Sequence, residues 1–569
     1  MSSVFFRAVS LTSLFLFACS GAPSDEVADS TAAALPSKHG SASPATALSV
    51  PSAFEHLRKD PYVIAGYLDV TRYGADPTGH RDSSDAFQNA LNDAGTGPNA
   101  KIGAVMAVYV PSGTYLITRT ITGLQLFNGS NINLVNYRYG AGAGYLTPTL
   151  LGPGSGKRPK IVLEPKTFTD PKNPKPMLHF VNTPGGVSPV GGHPCDGKPS
   201  ATVGCFDILF QAVIRDIDLE TGDNQGAIGI QMYSAQMTYI QNVSVDATGG
   251  FAGIQGTPAT EVWTHIAVQG GQYGVMIEGR AAGTSAVAGL VLSGQSIAGL
   301  VASEPGSVTI SGFDVEETDP SAVGVLAPNL GPQGGTLSMV DGQIRTSGGA
   351  AIDNAHDASL YLNNVYLRAP KTLIENGSSA VGASGQIQLV HEYAHADPRS
   401  NPASAGQALG ATIVIDDHDQ KVDHGPVFGS SRSPPSDLVS RNLPGQMPWA
   451  FDPEAFWVTD FGADPTGASD STKAFRDTVA AAHANRSDEV FLPRGKYALS
   501  GTIKLYPNTK FFGLPGGFSI LSAPHWNPGG VESFLVEVGA GAGNAILSDL
   551  NFALPTAGAS GISPTDQTY

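Results

Sequence analysis

The chain of 569 residues is long enough for several compact domains or one elongated solenoid, and its 69 glycines and 41 prolines interrupt any long helical run. Charged residues make up only 14%, but a hydrophobic content of 41% is enough to build a core, which excludes general disorder. With 49 acidic against 32 basic residues the net charge is -17; a surface of that sign repels phosphate backbones, so nucleic acid is excluded as an expected partner while neutral polysaccharides and small molecules stay open.

Residues 1–19 read as a secretory signal, with Arg7 as the positive start and the run from Val9 to Phe17 as an apolar stretch too short for a permanent membrane span. Leu16-Phe17-Ala18-Cys19-Ser20 resembles a bacterial lipobox, in which cleavage before the cysteine leaves a thiol that is acylated. Cys19 is therefore the expected lipidation site, and the protein is expected to be exported and held at the membrane, in the periplasm or at the cell surface. An ordinary signal peptide with an incidental cysteine is the alternative. Residues 20–55, rich in Ala, Ser, Pro and Thr, read as a flexible tether. Cys195 and Cys205 lie in a Gly/Pro-rich loop and are expected to form a disulfide in an exported protein, with two free thiols or a metal pair near His193 as the alternative.

The most informative feature is a duplication. Val70-Thr71-Arg72-Tyr73-Gly74-Ala75-Asp76-Pro77-Thr78-Gly79 recurs as Val458-Thr459-Asp460-Phe461-Gly462-Ala463-Asp464-Pro465-Thr466-Gly467. Asp82-Ser83-Ser84-Asp85-Ala86-Phe87 then matches Asp470-Ser471-Thr472-Lys473-Ala474-Phe475, and Pro111-Ser112-Gly113-Thr114-Tyr115 matches Pro493-Arg494-Gly495-Lys496-Tyr497. Each copy reads as a short strand, a Gly/Pro turn, a helix with Asp and Ser or Thr as capping oxygens, and a strand ending in Pro-x-Gly-x-Tyr. The helix buries Ala86, Phe87, Ala90 and Leu91 in one copy and Ala474, Phe475, Val479 and Ala482 in the other. Such a unit shields the first rung of an open stack of strands.

This pattern resembles the N-terminal region of the pectate-lyase-like superfamily, in rhamnogalacturonase/epimerase-type domains. Two starts in one chain resemble the exo-β-1,3-glucanases (laminarinases), in which paired β-helices stand side by side. The resemblance implies an all-β fold, a right-handed single-stranded parallel β-helix in two modules. Short apolar runs such as Ala227-Ile228-Gly229-Ile230 and Gly274-Val275-Met276-Ile277, with no amphipathic helices between them, agree with a solenoid. The expected layout is a first β-helix with its cap over residues 56–390, a crossover linker over 391–457, and a second module over 458–569. At roughly 20–25 residues per coil the second module is a cap and a few rungs, either a docking domain or a truncated β-helix.

The resemblance also implies a polysaccharide partner, with β-glucan as the instance, and inverting acid/base hydrolysis of O-glycosyl bonds in a cleft between the modules. Gln231 and Gln236 are the positions closest to the laminarinases' glutamine-rich rung, although the His-Trp pair that precedes it there is replaced by Gly229-Ile230. Glu261 lies two residues from Trp263, a ring expected to stack on sugar; Asp314 and Glu316, with Glu317, form the densest acidic cluster; and Glu532 and Glu537 fall in the second module, which carries the general acid in that family. Asp216, Asp218 and Glu220 alternate, as on the solvated face of a strand. No metal site and no cofactor are expected. A non-catalytic carbohydrate-binding or surface-adhesion β-helix is the alternative, and a polysaccharide lyase of the same superfamily is another.

Overall fold

The computed structural model describes residues 59–553 apart from 96–105, 127–146, 184–208, 210, 235–236, 259–261, 279–283, 304–305, 328–335, 357, 378, 384, 396–411, 416–417, 422–423, 430–432, 444, 446, 525–534 and 539–542. Residues 1–19, 20–55, Cys195, Cys205, Gln236, Glu261 and Glu532 therefore lie outside the described residues.

The first module is a right-handed parallel β-helix built on two long sheets. One runs through Tyr67–Asp69, Ala107–Tyr109, Thr149–Leu151, Val213–Glu220, Tyr239–Asp246, Val262–Gln269, Thr284–Ser293, Ser307–Glu317, Thr336–Thr346 and Ser359–Arg368. The other starts at Ile121–Leu126 and Lys175–Thr183 and continues through Ala227–Ser234 to Thr372–Asn376. Parallel pairing ends when Gln388–His395 and then His424–Phe428 add to the first sheet in antiparallel fashion. Part of the stretch expected to be crossover therefore belongs to the first module's sheet.

Two columns of residues explain the coil's cross-section. In the first sheet Arg215, Gln241, Thr264, Ala288, Ser311, Val340 and Asn363 are in register. The next residue on each strand, Asp216, Asn242, His265, Gly289, Gly312, Asp341 and Asn364, has a positive φ between 53° and 72°. Gly, Asn and Asp tolerate that left-handed conformation best. The bend shifts the alternation of each strand by one residue: Val308 and Ile310 point inward before Gly312, and Phe313, Val315 and Glu317 after it.

The second column is Gly229, Gly253, Gly274, Gly299 and Gly324, aligned in the other sheet. A Cβ added at these positions would stand 2.8 Å from Val245, 2.4 Å from Val268, 3.1 Å from Leu292, 2.7 Å from Val315 and 2.2 Å from Ile344. The sheets approach too closely there for any side chain, so the coil is pinched along this line.

The second module repeats the plan on a small scale, with parallel strands Phe456–Trp457, Glu489–Leu492, Lys510–Gly513 and Ile546–Ser548 on one face and Gly495–Ala498, Ser519–Ser522 and Asn551–Ala553 on another. The duplicated motif is the same at the level of atoms. Asp76 accepts from the Thr78 backbone N–H at 3.1 Å and Asp464 from that of Thr466 at 2.9 Å. Tyr115 donates to the Pro111 carbonyl and Tyr497 to that of Pro493, each at 2.9 Å, and each tyrosine meets its helix edge-on at Phe87 or Phe475, 5.5 and 5.3 Å away. The helix faces are buried as expected. The capping differs: Ser83 and Ser471 turn back to accept from the Asp76 and Asp464 N–H groups, both at 2.9 Å, while Asp82 and Asp470 accept from Ser84 and Thr472. The helix start and the turn before it are thus one hydrogen-bonded unit, which is why the motif recurs as a block.

Candidate functional site at the module junction

The modules meet through aromatic rings. Trp449 stacks on Tyr109 at 5.2 Å and lies 5.3 Å from Tyr67, and Phe451 packs on Tyr62 at 4.3 Å and meets Trp457 of the second module edge-on at 5.3 Å. The backbones nearly touch: Arg494 N–H donates to the Ala65 carbonyl at 2.9 Å, and Thr147 Oγ1 to that of Gly516 at 3.2 Å.

Beside this cluster lies a small pocket lined by Gly154, Arg215, Asp216, Gln241, Asn242, His265 and Met447. Its floor is the start of the left-handed column, so neighbouring strands deliver Asp216, Asn242 and His265 in a row. Met447, from the segment between modules, roofs it. Further along the column the same segment lies on the strands: Asn442 Nδ2 donates to Asp341 at 2.9 Å, and Leu443 occupies the space over Gly289.

A chain of polar contacts fixes the row. Arg158 donates to the Asn242 side-chain oxygen at 2.6 Å, which orients the amide so that its Nδ2 donates to Asp216 Oδ1 at 2.6 Å. On the other side Arg215 Nε lies 3.1 Å from Asp216 Oδ2, within ion-pair reach but off the line of a hydrogen bond, and Arg215 Nη1 lies 3.2 Å from Asp549 Oδ2 of the second module. Tyr239 donates to the other Asp549 oxygen. Burial raises the Asp216 carboxyl above the usual aspartate range, against the opposing pull of Arg215, Asn242 and Arg158. Burial also lowers the His265 imidazole, with Asp216 opposing, and its Nδ1 has no hydrogen-bond partner. The pocket thus holds a carboxyl biased towards its protonated form and an imidazole biased towards neutrality. Among the described residues no group of three or more His, Cys, Asp or Glu is arranged to hold a metal ion.

The expected site residues are dispersed. Gln231 stands on the other sheet, its Nε2 donating to Gln255 Oε1 at 2.7 Å; Gln255 in turn donates to Glu278, which also accepts from Tyr233 at 3.1 Å. This amide ladder is not at the junction. Trp263 is fully buried in the core, so the expected exposed ring for sugar stacking is corrected: its strand turns that position inward. Asp314 and Glu316 flank Arg345 at 3.1 and 2.8 Å on the outer face, while Glu317 points into the coil. Glu537 lies 3.6 Å from Lys504 at the surface. The reading of Asp216, Asp218 and Glu220 as one solvated face also fails, because the bend at Asp216 takes it out of the alternation and buries it, leaving Asp218 and Glu220 outside.

Coil, caps and junction define a parallel β-helix protein of two modules, similar at each module's start to the pectate-lyase-like superfamily. Residues 67–148 and 455–553, the start of each module, match the family described as rhamnogalacturonase A/epimerase, pectate lyase-like. Similar solved structures include ORF18 of Geobacillus virus E2, with 14% identity, 59% of this chain and 69% of that chain covered, and a TM-score of 0.30. The A-module of mannuronan C-5 epimerase AlgE6 from Azotobacter vinelandii is 13% identical, covering 56% of this chain and 96% of its own at a TM-score of 0.24. The surface adhesin PfbA of Streptococcus pneumoniae is 10% identical, covering 58% and 99% at 0.23. A comparison with curated proteins returns no match.

Proposed function

We propose that this protein engages polysaccharide and hydrolyses O-glycosyl bonds at the module junction, with Asp216 as the proton donor. The observation that carries the reading is the buried Asp216 carboxyl, set between the Asn242 amide and the Arg215 guanidinium in the lining of the small pocket, where burial raises it above the usual aspartate range. A glycosidic leaving oxygen needs such a donor, and an inverting reaction needs a base roughly 6.5–9.5 Å away. His265 is two strands along, roughly 9–10 Å at the backbone for a strand spacing near 4.8 Å, and is biased towards neutrality. Asn242 stands between them in the row, its amide on Asp216, and the pocket lies against all three.

Release of reducing sugar from laminarin and from a panel of neutral and acidic polysaccharides tests this. Asp216→Asn is expected to lower the rate by about 100-fold or more with binding retained. Binding without sugar release from the unaltered protein replaces hydrolysis with the adhesion reading. An unsaturated product absorbing in the ultraviolet points to a lyase.

A further inference from the structure

The pocket's carboxyl is linked to the second module by a single guanidinium. Arg215 and Asp549 are both buried, with side chains 6% and 7% exposed, so their charges are screened little by solvent. Asp549 is fixed from several sides: Tyr239 holds one oxygen, Ser548 Oγ lies 3.0 Å from the other, and its own backbone sits at a φ of 57°. Two buried carboxyl groups therefore share one fixed positive charge, one from each module.

We propose that Asp549 is a positioning residue: from the second module it draws the Arg215 guanidinium away from full pairing with Asp216, and so governs whether that carboxyl carries its proton. This rests on the assignment of Asp216 as the proton donor. The titratable and charged groups around Asp216 are Arg215 on its own strand, Arg158 with its ion-pair partner Asp218, His265, Tyr239, Tyr67 and Asp549. Of the carboxylates in that set, only Asp549 competes with Asp216 for Arg215. With its charge removed, Arg215 turns its whole charge on Asp216 and favours the ionised form. The short second module then has a chemical role: its last described coil brings one carboxylate to a pocket that it does not itself line.

The test is a titration of Asp216 in the full chain by infrared difference spectroscopy, with the protonated carboxyl band assigned by its loss in Asp216→Asn. In Asp549→Asn and Asp549→Ser the midpoint is expected to fall by about one pH unit, a tenfold change in the proton equilibrium, while Asp549→Glu, which keeps the charge, stays close to the unaltered protein. An unmoved midpoint in the neutral variants overturns the proposal. Failure of both to fold overturns it as well, since Asp549 would then hold the structure together rather than set a titration. The readout needs no turnover: a shifted midpoint in a protein that releases no sugar discards hydrolysis and keeps the coupling, whereas hydrolysis with an unmoved midpoint discards the coupling alone.

Discussion

Glu317 is the clearest case of a single residue at odds with its surroundings. It is 1% exposed, and its pKa is pushed up to about 8 by burial, which outweighs the opposing backbone N–H of Gln295, with Asp319 and Glu316 adding repulsion. The folded state therefore holds a proton that the unfolded chain releases near the ordinary value of 4.5. Folding stability is expected to fall as pH rises from about 4.5 to about 8 and then level off, by a few kcal/mol in all. Glu317→Gln should remove that slope, leaving the protein more stable than the unaltered chain at pH 9 and little changed at pH 4. Denaturant midpoints at the two pH values measure it, and an equal slope in the variant would refute it. In sequence Glu317 was simply the third member of an acidic cluster with Asp314 and Glu316. The period-two alternation that separates it from Glu316 is visible there, but the phase shift at Gly312 that decides which one enters the core is not.

Among elements, the pinched line of the coil carries the strongest constraint. Gly324→Val would put branched carbons where Ile344 already stands, 2.2 Å from the position of a Cβ, and is expected to cost about 3 kcal/mol. Ala351, fully buried in the same column one coil on, already carries a Cβ, so Ala351→Gly should cost only about 1 kcal/mol. Chemical denaturation of both variants tests the contrast. The caps were legible because their hydrogen bonds are local: Asp76 reaches Thr78, and Tyr115 reaches Pro111. The pocket was not. Asp216, Asn242 and His265 are neighbours only through the register of successive coils, and nothing in Ile214-Arg215-Asp216-Ile217-Asp218 marks a bend. Turn-forming Asn, Asp and Gly at one position per coil is the signal that was available once the coils were aligned.

For the whole molecule, the junction makes two solenoids into one object. Trp449, 5% exposed, touches rings of the first module's cap, and Trp449→Ala is expected to cost about 3–5 kcal/mol and to loosen the second module first. Limited proteolysis should then cut between the modules at protease levels that leave the unaltered protein whole; an unchanged pattern would show that the rings contribute little to docking. The duplication announced two modules, but their mode of contact was hidden. The rings come from Tyr62, Tyr67, Tyr109, Trp449, Phe451 and Phe491, scattered over distant parts of the chain, and Asp549 lies in a segment with no motif.

The same rings set a schedule for synthesis. Tyr67 and Tyr109 leave the ribosome early, and Trp449 follows some 340 residues later, an interval of about 17–70 seconds at roughly 5–20 residues per second. Until then the outer face of the first strands, at Tyr67 and Tyr109, has no ring from the later chain to cover it, while the solenoid grows coil by coil behind its cap.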